Sequence, residues 1–236
     1  MAILVVVISF CVKQIFFSGP QKYPVYYESM PESTGEQQEE NIYSEIDFND
    51  LREKNDEIYA WIYIPDTKIN YPVVQSKTDN EFYLRRNEYK KNAVYGSIFT
   101  ENHNTTMFTD YNTVLYGHNM LNGSMFADLL KYKDQGFFDS HRDFYIYTPE
   151  KAYQYKVFAA YFTDDSHVFA ANDFSTEEGY REYIDTVKSQ TDGSFDKTLE
   201  LTVSDRIITL STCYAKGTKR FLVQAFLEKK MGYIEK

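Results

Sequence analysis

Two cysteines are all that this 236-residue chain carries. A pair cannot build a disulfide framework, and Cys11 lies inside an apolar run, so Cys213 is read as a free thiol. Positive charge is also scarce: 25 Lys and Arg face 35 Asp and Glu, a formal net charge of −10. No basic stripe accompanies it, which excludes a nucleic-acid partner, because phosphate binding needs clustered Lys and Arg. Internal repeats are missing, and low-complexity sequence is confined to one N-terminal linker. No small-x-small cleavage site follows the apolar start, so that start is read as an uncleaved anchor and not as a removed signal peptide.

What is present is apolar and aromatic bulk. At 43% hydrophobic and 17% aromatic residues, the chain has material for a sizeable core in one domain with an N-terminal appendage. Residues 1–17 run from Ala2-Ile3-Leu4-Val5-Val6-Val7 to Ile15-Phe16-Phe17 with Lys13 toward one end. As a helix they reach about 25 Å against a hydrocarbon core of about 30 Å, so they make a short membrane anchor whose lysine snorkels. Residues 18–45 hold Pro20, Pro24, Pro31, Gly19, Gly35 and the run Glu36-Gln37-Gln38-Glu39-Glu40, and form a linker. A folded domain over 46–230 and a tail over 231–236 complete the division.

Within the domain, Asp50 and Glu53 have capping-box spacing, and Leu51, Ile58 and Trp61 predict a short amphipathic helix. Strands are predicted over 61–64, 70–75, 97–100 and 113–116, then a helix over 124–131 with Met125, Phe126, Leu129 and Leu130 inward. Strands over 143–147 and 153–162 flank a turn at Pro149-Glu150. The period then changes: Ser175 or Thr176 caps a helix whose Tyr180, Tyr183, Ile184 and Val187 share a face. Strands resume over 198–203, 206–212 and 221–227, the last two pairing across the Cys213–Lys219 loop. About eight strands and few helices predict a closed barrel, since closure removes exposed edges.

Reactive groups gather at strand ends. Alternation along Arg206-Ile207-Ile208-Thr209-Leu210-Ser211-Thr212-Cys213 puts Ile207, Thr209, Ser211 and Cys213 on one face, read as a site. Ile208, Leu210 and Thr212 take the other, read as core. Upstream, Asn112-Thr113-Val114-Leu115-Tyr116 breaks at Gly117 and delivers His118 to its end. A thiol of ordinary pKa near 8.5 is sparsely ionised at neutral pH and needs a positive neighbour to act as a nucleophile, which His118 can supply. Arg220 follows, a fixed fork that gives two parallel donors to an oxyanion or a peptide carbonyl, as Lys219 cannot. His103, His141 and His167 are read as solvated loop residues, and Cys11 as an apolar filler.

Together these residues resemble the sortase family, with its Thr-Leu-Ser-Thr-Cys strand (Thr209 to Cys213), downstream arginine and upstream histidine. The Asn70-Tyr71-Pro72-Val73-Val74-Gln75 segment, the Tyr116-Gly117-His118-Asn119 turn and the insertion before the cysteine strand are similar to class B, and the resemblance spans residues 50–229. It implies a mainly β fold: a closed eight-stranded barrel with an N-terminal helix and the 175–190 helix as the inserted one. It implies a membrane-anchored cysteine transpeptidase with an extracellular catalytic domain, which cleaves the C-terminal sorting motif of surface proteins. The acyl group passes to an amine of peptidoglycan or its precursor. Cys213 is then the nucleophile, His118 the acid and base, Arg220 the oxyanion or backbone clamp, while Asn80, Tyr116 and Ser211 line the peptide groove. Tyr214 stands where some class B relatives carry an acid. No cofactor or metal is expected, because Asp164-Asp165 lack further oxygen ligands at regular spacing and read as a turn. Two alternatives stay open: a pilin-polymerising sortase with a protein lysine as acceptor, and a tethered barrel that binds peptides without chemistry.

Overall fold

A computed structural model describes residues 41–42, 44–166, 168–214 and 218–233. The anchor over 1–17 with Cys11, nearly all of the linker, and His167 lie outside the described residues. Among the described residues, no helix is long and apolar enough to cross a membrane.

After a two-residue strand β1 (Asn41–Ile42) comes helix α1 (Phe48–Lys54). Its cap is Asp47 and not Asp50: the Asp47 carboxylate accepts from the N–H groups of Asn49 and Asp50. Asp50 lies in the first turn, where a negative charge suits the helix dipole, and it pairs with Lys54. The helix stops at Asn55, whose amide is committed to the Tyr83 hydroxyl and the Glu88 carbonyl. Ile58 and Trp61 therefore fall in the following strand.

Eight strands close a barrel: β2 (Ile58–Tyr63), β3 (Asn70–Gln75), β4 (Ile98–Thr100), β5 (Asn112–Gly117), β6 (Asp143–Tyr147), β7 (Ala152–Thr163), β9 (Ile207–Tyr214) and β10 (Lys219–Tyr233). Around it the order is β10-β9-β5-β4-β3-β2-β6-β7, and β7 pairs back onto β10. The β3–β4 and β5–β9 pairs are parallel. Strand β1 adds to β10, and β8 (Gly193–Phe195) adds to β7.

Alternation along these strands divides two cores. Leu115, Ile208, Leu210, Phe221 and Val223 point into the barrel. Val114, Tyr116, Ile207 and Leu222 point outward, where they meet Tyr180, Tyr183, Ile184 and Val187 of the long inserted helix. That helix follows two short ones, α2 (Gln135–Ser140) and α3 (Val168–Ala171), and is α4 (Glu177–Lys188). Thr176 caps it by accepting from the Gly179 N–H at 3.1 Å. The outward face of β9 is thus covered for most of its length, with Thr209 and Ser211 0% and 1% exposed. That face is a site only at its Cys213 end, which is half-buried.

Two elements differ from expectation. Residues 198–203 form no strand, because the Asp196 carboxylate captures the N–H and hydroxyl of Thr198, and Asp205 captures those of Thr202. Side chains there satisfy groups that a ladder would need. The helix over 124–131 is replaced by a 3₁₀ segment, Ala127–Lys133, followed by α2. Met125 has a φ of 58°, a left-handed conformation that no helix accommodates.

Candidate active site

Three adjacent strands, β10, β9 and β5, end at one rim of the barrel. Cross-strand register sets Arg220 opposite Cys213, and an Arg220 Nη1 donates to Cys213 Sγ at 3.3 Å. On the other side, β5 and β9 run parallel with Gly117 opposite Thr212, whose hydroxyl donates to the Gly117 carbonyl at 2.8 Å. His118 directly follows Gly117, and Cys213 directly follows Thr212, so the last pair of the ladder stands one residue before both. Arg220 thus meets Cys213 from seven residues away in sequence, while the exit of β5 that bears His118 is tied to β9 across a separation of 95 residues.

Gly117 makes that exit possible. A Cβ there would come within 2.5 Å of Ile98 Cδ1 and 2.6 Å of the Phe126 ring, so only glycine lets β5 leave the sheet beneath this packing. Beyond it, the Phe126 N–H donates to the His118 carbonyl at 2.9 Å, and an isolated bridge joins Asn119 to Met125. The imidazole is held from outside: its Nε2 lies 2.7 Å from the Leu84 carbonyl oxygen. A carbonyl only accepts, so Nε2 carries the hydrogen and Nδ1 is left as the basic nitrogen of the neutral ring. Leu84 lies in the 3₁₀ segment Phe82–Arg85. Nothing in the sequence marks this contact, because a backbone carbonyl carries no side-chain signal.

The groove residues divide. Tyr116 is buried against Phe99, with ring centroids 5.5 Å apart. Burial pushes its phenol well above the usual range, and Glu101 adds to this against the opposing pull of Arg220. The phenol is thus a hydrogen-bonding group and not a base. The Ser211 hydroxyl is buried, and no hydrogen-bond partner for it exists among the described residues. Asn80 is already engaged: its side-chain oxygen accepts from the Asn102 N–H at 2.8 Å and pins that loop.

Of the other two described histidines, His103 is exposed, as expected of a loop residue, and His141 is half-buried. His103 stacks on Phe169 at 5.0 Å, and His141 stacks on Phe137 at 4.0 Å. Asp164 accepts from the Ser166 N–H, closing the turn expected there. On the inward side of the rim, Tyr214 packs on Phe162 at 4.6 Å, Phe162 on Phe221 at 4.8 Å, and the Lys133 ammonium lies over the Phe162 and Tyr214 rings. This aromatic plug of the barrel mouth went unread, since Phe162, Tyr214 and Lys133 stand far apart in sequence.

A closed barrel with a thiol, an imidazole and a guanidinium on one rim defines a class of protein, the cysteine transpeptidases. Comparison with known proteins agrees. A sortase-domain family model matches residues 62–228. Sortase B of Listeria monocytogenes is 38% identical over 197 residues, covering 80% of this chain and 78% of the relative. Two solved structures superpose with a TM-score of 0.69: sortase B from B. anthracis in complex with AAEK1, at 39% identity, and a Staphylococcus aureus sortase B–substrate complex, at 34%. Each covers 77% of this chain and 84% of the other. The chain belongs to the sortase family, and its similarity is to sortases of class B.

Proposed function

We propose that the chain is a membrane-anchored class B sortase that cleaves a C-terminal sorting motif of surface proteins and transfers the acyl group to a cell-wall amine of peptidoglycan or its precursor. One observation carries the reading: Arg220 donates to the Cys213 sulfur, and His118 follows Gly117, the residue paired with Thr212 just before that cysteine. The solved S. aureus relative is a complex with its substrate, which supports a peptide as the acyl donor here. Residues 1–17 supply the anchor.

In this reading the Cys213 thiolate attacks the carbonyl carbon of the scissile peptide bond, and Arg220 stabilises the oxyanion that forms. As the carbon–nitrogen bond breaks, His118 gives the departing amine the proton that its Nδ1 took from the Cys213 thiol, leaving a thioester on Cys213. The acceptor amine then attacks the thioester, His118 removes its proton, the carbon–sulfur bond breaks and a new amide is released with the thiolate restored.

Mass spectrometry of the full chain incubated with a panel of sorting-signal peptides tests this. Wild type should gain the mass of the acyl fragment on Cys213, and Cys213→Ala should gain nothing and cleave nothing. Substantial cleavage by Cys213→Ala would remove the thiol from the mechanism.

A further inference from the structure

The acidic balance of the chain hides a local reversal. Arg85, Arg86, Lys90 and Lys91 are four of its 25 basic residues, too short a run to form a stripe in sequence. Folding turns it into a surface. Arg86 bridges to Asn92, and the Ala93 N–H donates to the Arg85 carbonyl at 2.9 Å, so the segment doubles back on itself. Between its arms lies a cleft of about 430 Å³ lined by Arg85, Arg86, Asn92, Ala93 and Val94, with no carboxylate among them. The acid of the segment, Glu88, is buried, and burial pushes its carboxyl above the usual range. Lys90 is taken up by Asp56 and Glu57 at 3.5 and 3.2 Å. Arg86 lies 4.3 Å over the Phe82 ring and donates one nitrogen to the Phe82 carbonyl, which fixes its plane and leaves further N–H groups. Arg85 and Lys91 are exposed and have no ion pair among the described residues.

We propose that this cleft binds a phosphate ester carried by a lipid. Two guanidinium forks and one carboxamide line the cleft, donors whose charge and hydrogen bonding suit the oxygens of a phosphate group. A lipid source follows from Val94, which stands 79% exposed at the lip and offers an apolar contact that a small phosphate has no use for. The position is also telling, because Arg85 directly follows Leu84, whose carbonyl holds His118. A phosphate docked here orients the rim toward the surface that carries the lipid. The inference concerns binding and not acyl transfer, so either can fail alone.

Arginine footprinting tests it. The full chain in dodecyl maltoside, which contains no phosphate, is treated with phenylglyoxal, and modification of each arginine is followed by mass spectrometry. Dihexanoyl phosphatidylglycerol, below its micelle concentration, should slow modification of Arg85 and Arg86 about tenfold and leave exposed Arg52 unchanged. Inorganic diphosphate should protect the same pair only at higher concentration. In Arg85→Gln, half-protection of Arg86 should need about tenfold more lipid, as expected for one lost charged hydrogen bond. Unaltered modification, or equal slowing at Arg52, overturns the site. Equal potency of diphosphate overturns its assignment to a lipid.

Discussion

Arg220 meets Cys213 by backbone register, and His118 leaves β5 one residue past the pair of Gly117 with Thr212. Arg220→Lys keeps the charge and loses the fork. If the fork stabilises the oxyanion, kcat/KM should fall by about 10²-fold, on the order of 3 kcal/mol, with Tm little changed. Near-normal kinetics in that variant would reduce Arg220 to a structural cation. His118→Ala should lose about 10²–10⁴-fold in turnover. His141→Ala and His103→Ala should keep their turnover and instead lower Tm, because each ring is stacked on a phenylalanine. A comparable loss of turnover in either would mean that the wrong histidine has been chosen. These three side chains were legible in the sequence because each stands where a β pattern stops. The Leu84 carbonyl was not, since only the fold decides which carbonyl meets an imidazole.

At the scale of elements, α4 is the part that the sequence announced most clearly, through the Thr176 cap and the helical spacing of Tyr180, Tyr183, Ile184 and Val187. How it attaches was invisible. Gln224 on β10 is fully buried and donates to the hydroxyls of Tyr183 on α4 and Thr209 on β9, while its oxygen accepts from Tyr161 on β7. Thr209 passes the chain on to Asn112 at the start of β5. One amide thus joins the inserted helix to three strands, including the one that bears Cys213. Gln224→Leu should cost about 2–3 kcal/mol, because it leaves buried hydroxyls without their partner. Exposed Gln135→Leu should cost close to nothing. Urea midpoints decide, and equal midpoints would mean that water replaces the amide freely. The false strand at 198–203 has the same origin: Thr-Leu-Glu-Leu-Thr-Val alternates well, but Asp196 and Asp205 outcompete a ladder for its N–H groups.

For the molecule as a whole, a count of strands pointed to a barrel, yet the closing pair of β7 with β10 joins Phe162 to Phe221, a separation that no local pattern reports. The same region couples stability to acid. Arg142, just before β6, donates to Asp196 at 2.6 Å and to the Val157 carbonyl at 2.8 Å, tying the segment after β8 to the barrel wall. Burial alone would raise Asp196, but hydrogen bonds from the Thr198 hydroxyl and N–H, with the Arg142 guanidinium, outweigh it and hold the carboxyl at about 2. An unfolded aspartate titrates near 4, so the folded state binds this proton more weakly. The stabilisation is therefore complete above about pH 4–5 and is lost as pH falls toward 2. Asp196→Asn should be about 2 kcal/mol less stable than wild type at neutral pH, and the gap should shrink through pH 4 and vanish near pH 2. Thermal melts of both proteins along that series measure it directly. A gap that stays constant with pH would show that Asp196 acts through its shape alone, and the charge on Arg142 would then have no part in holding the barrel wall.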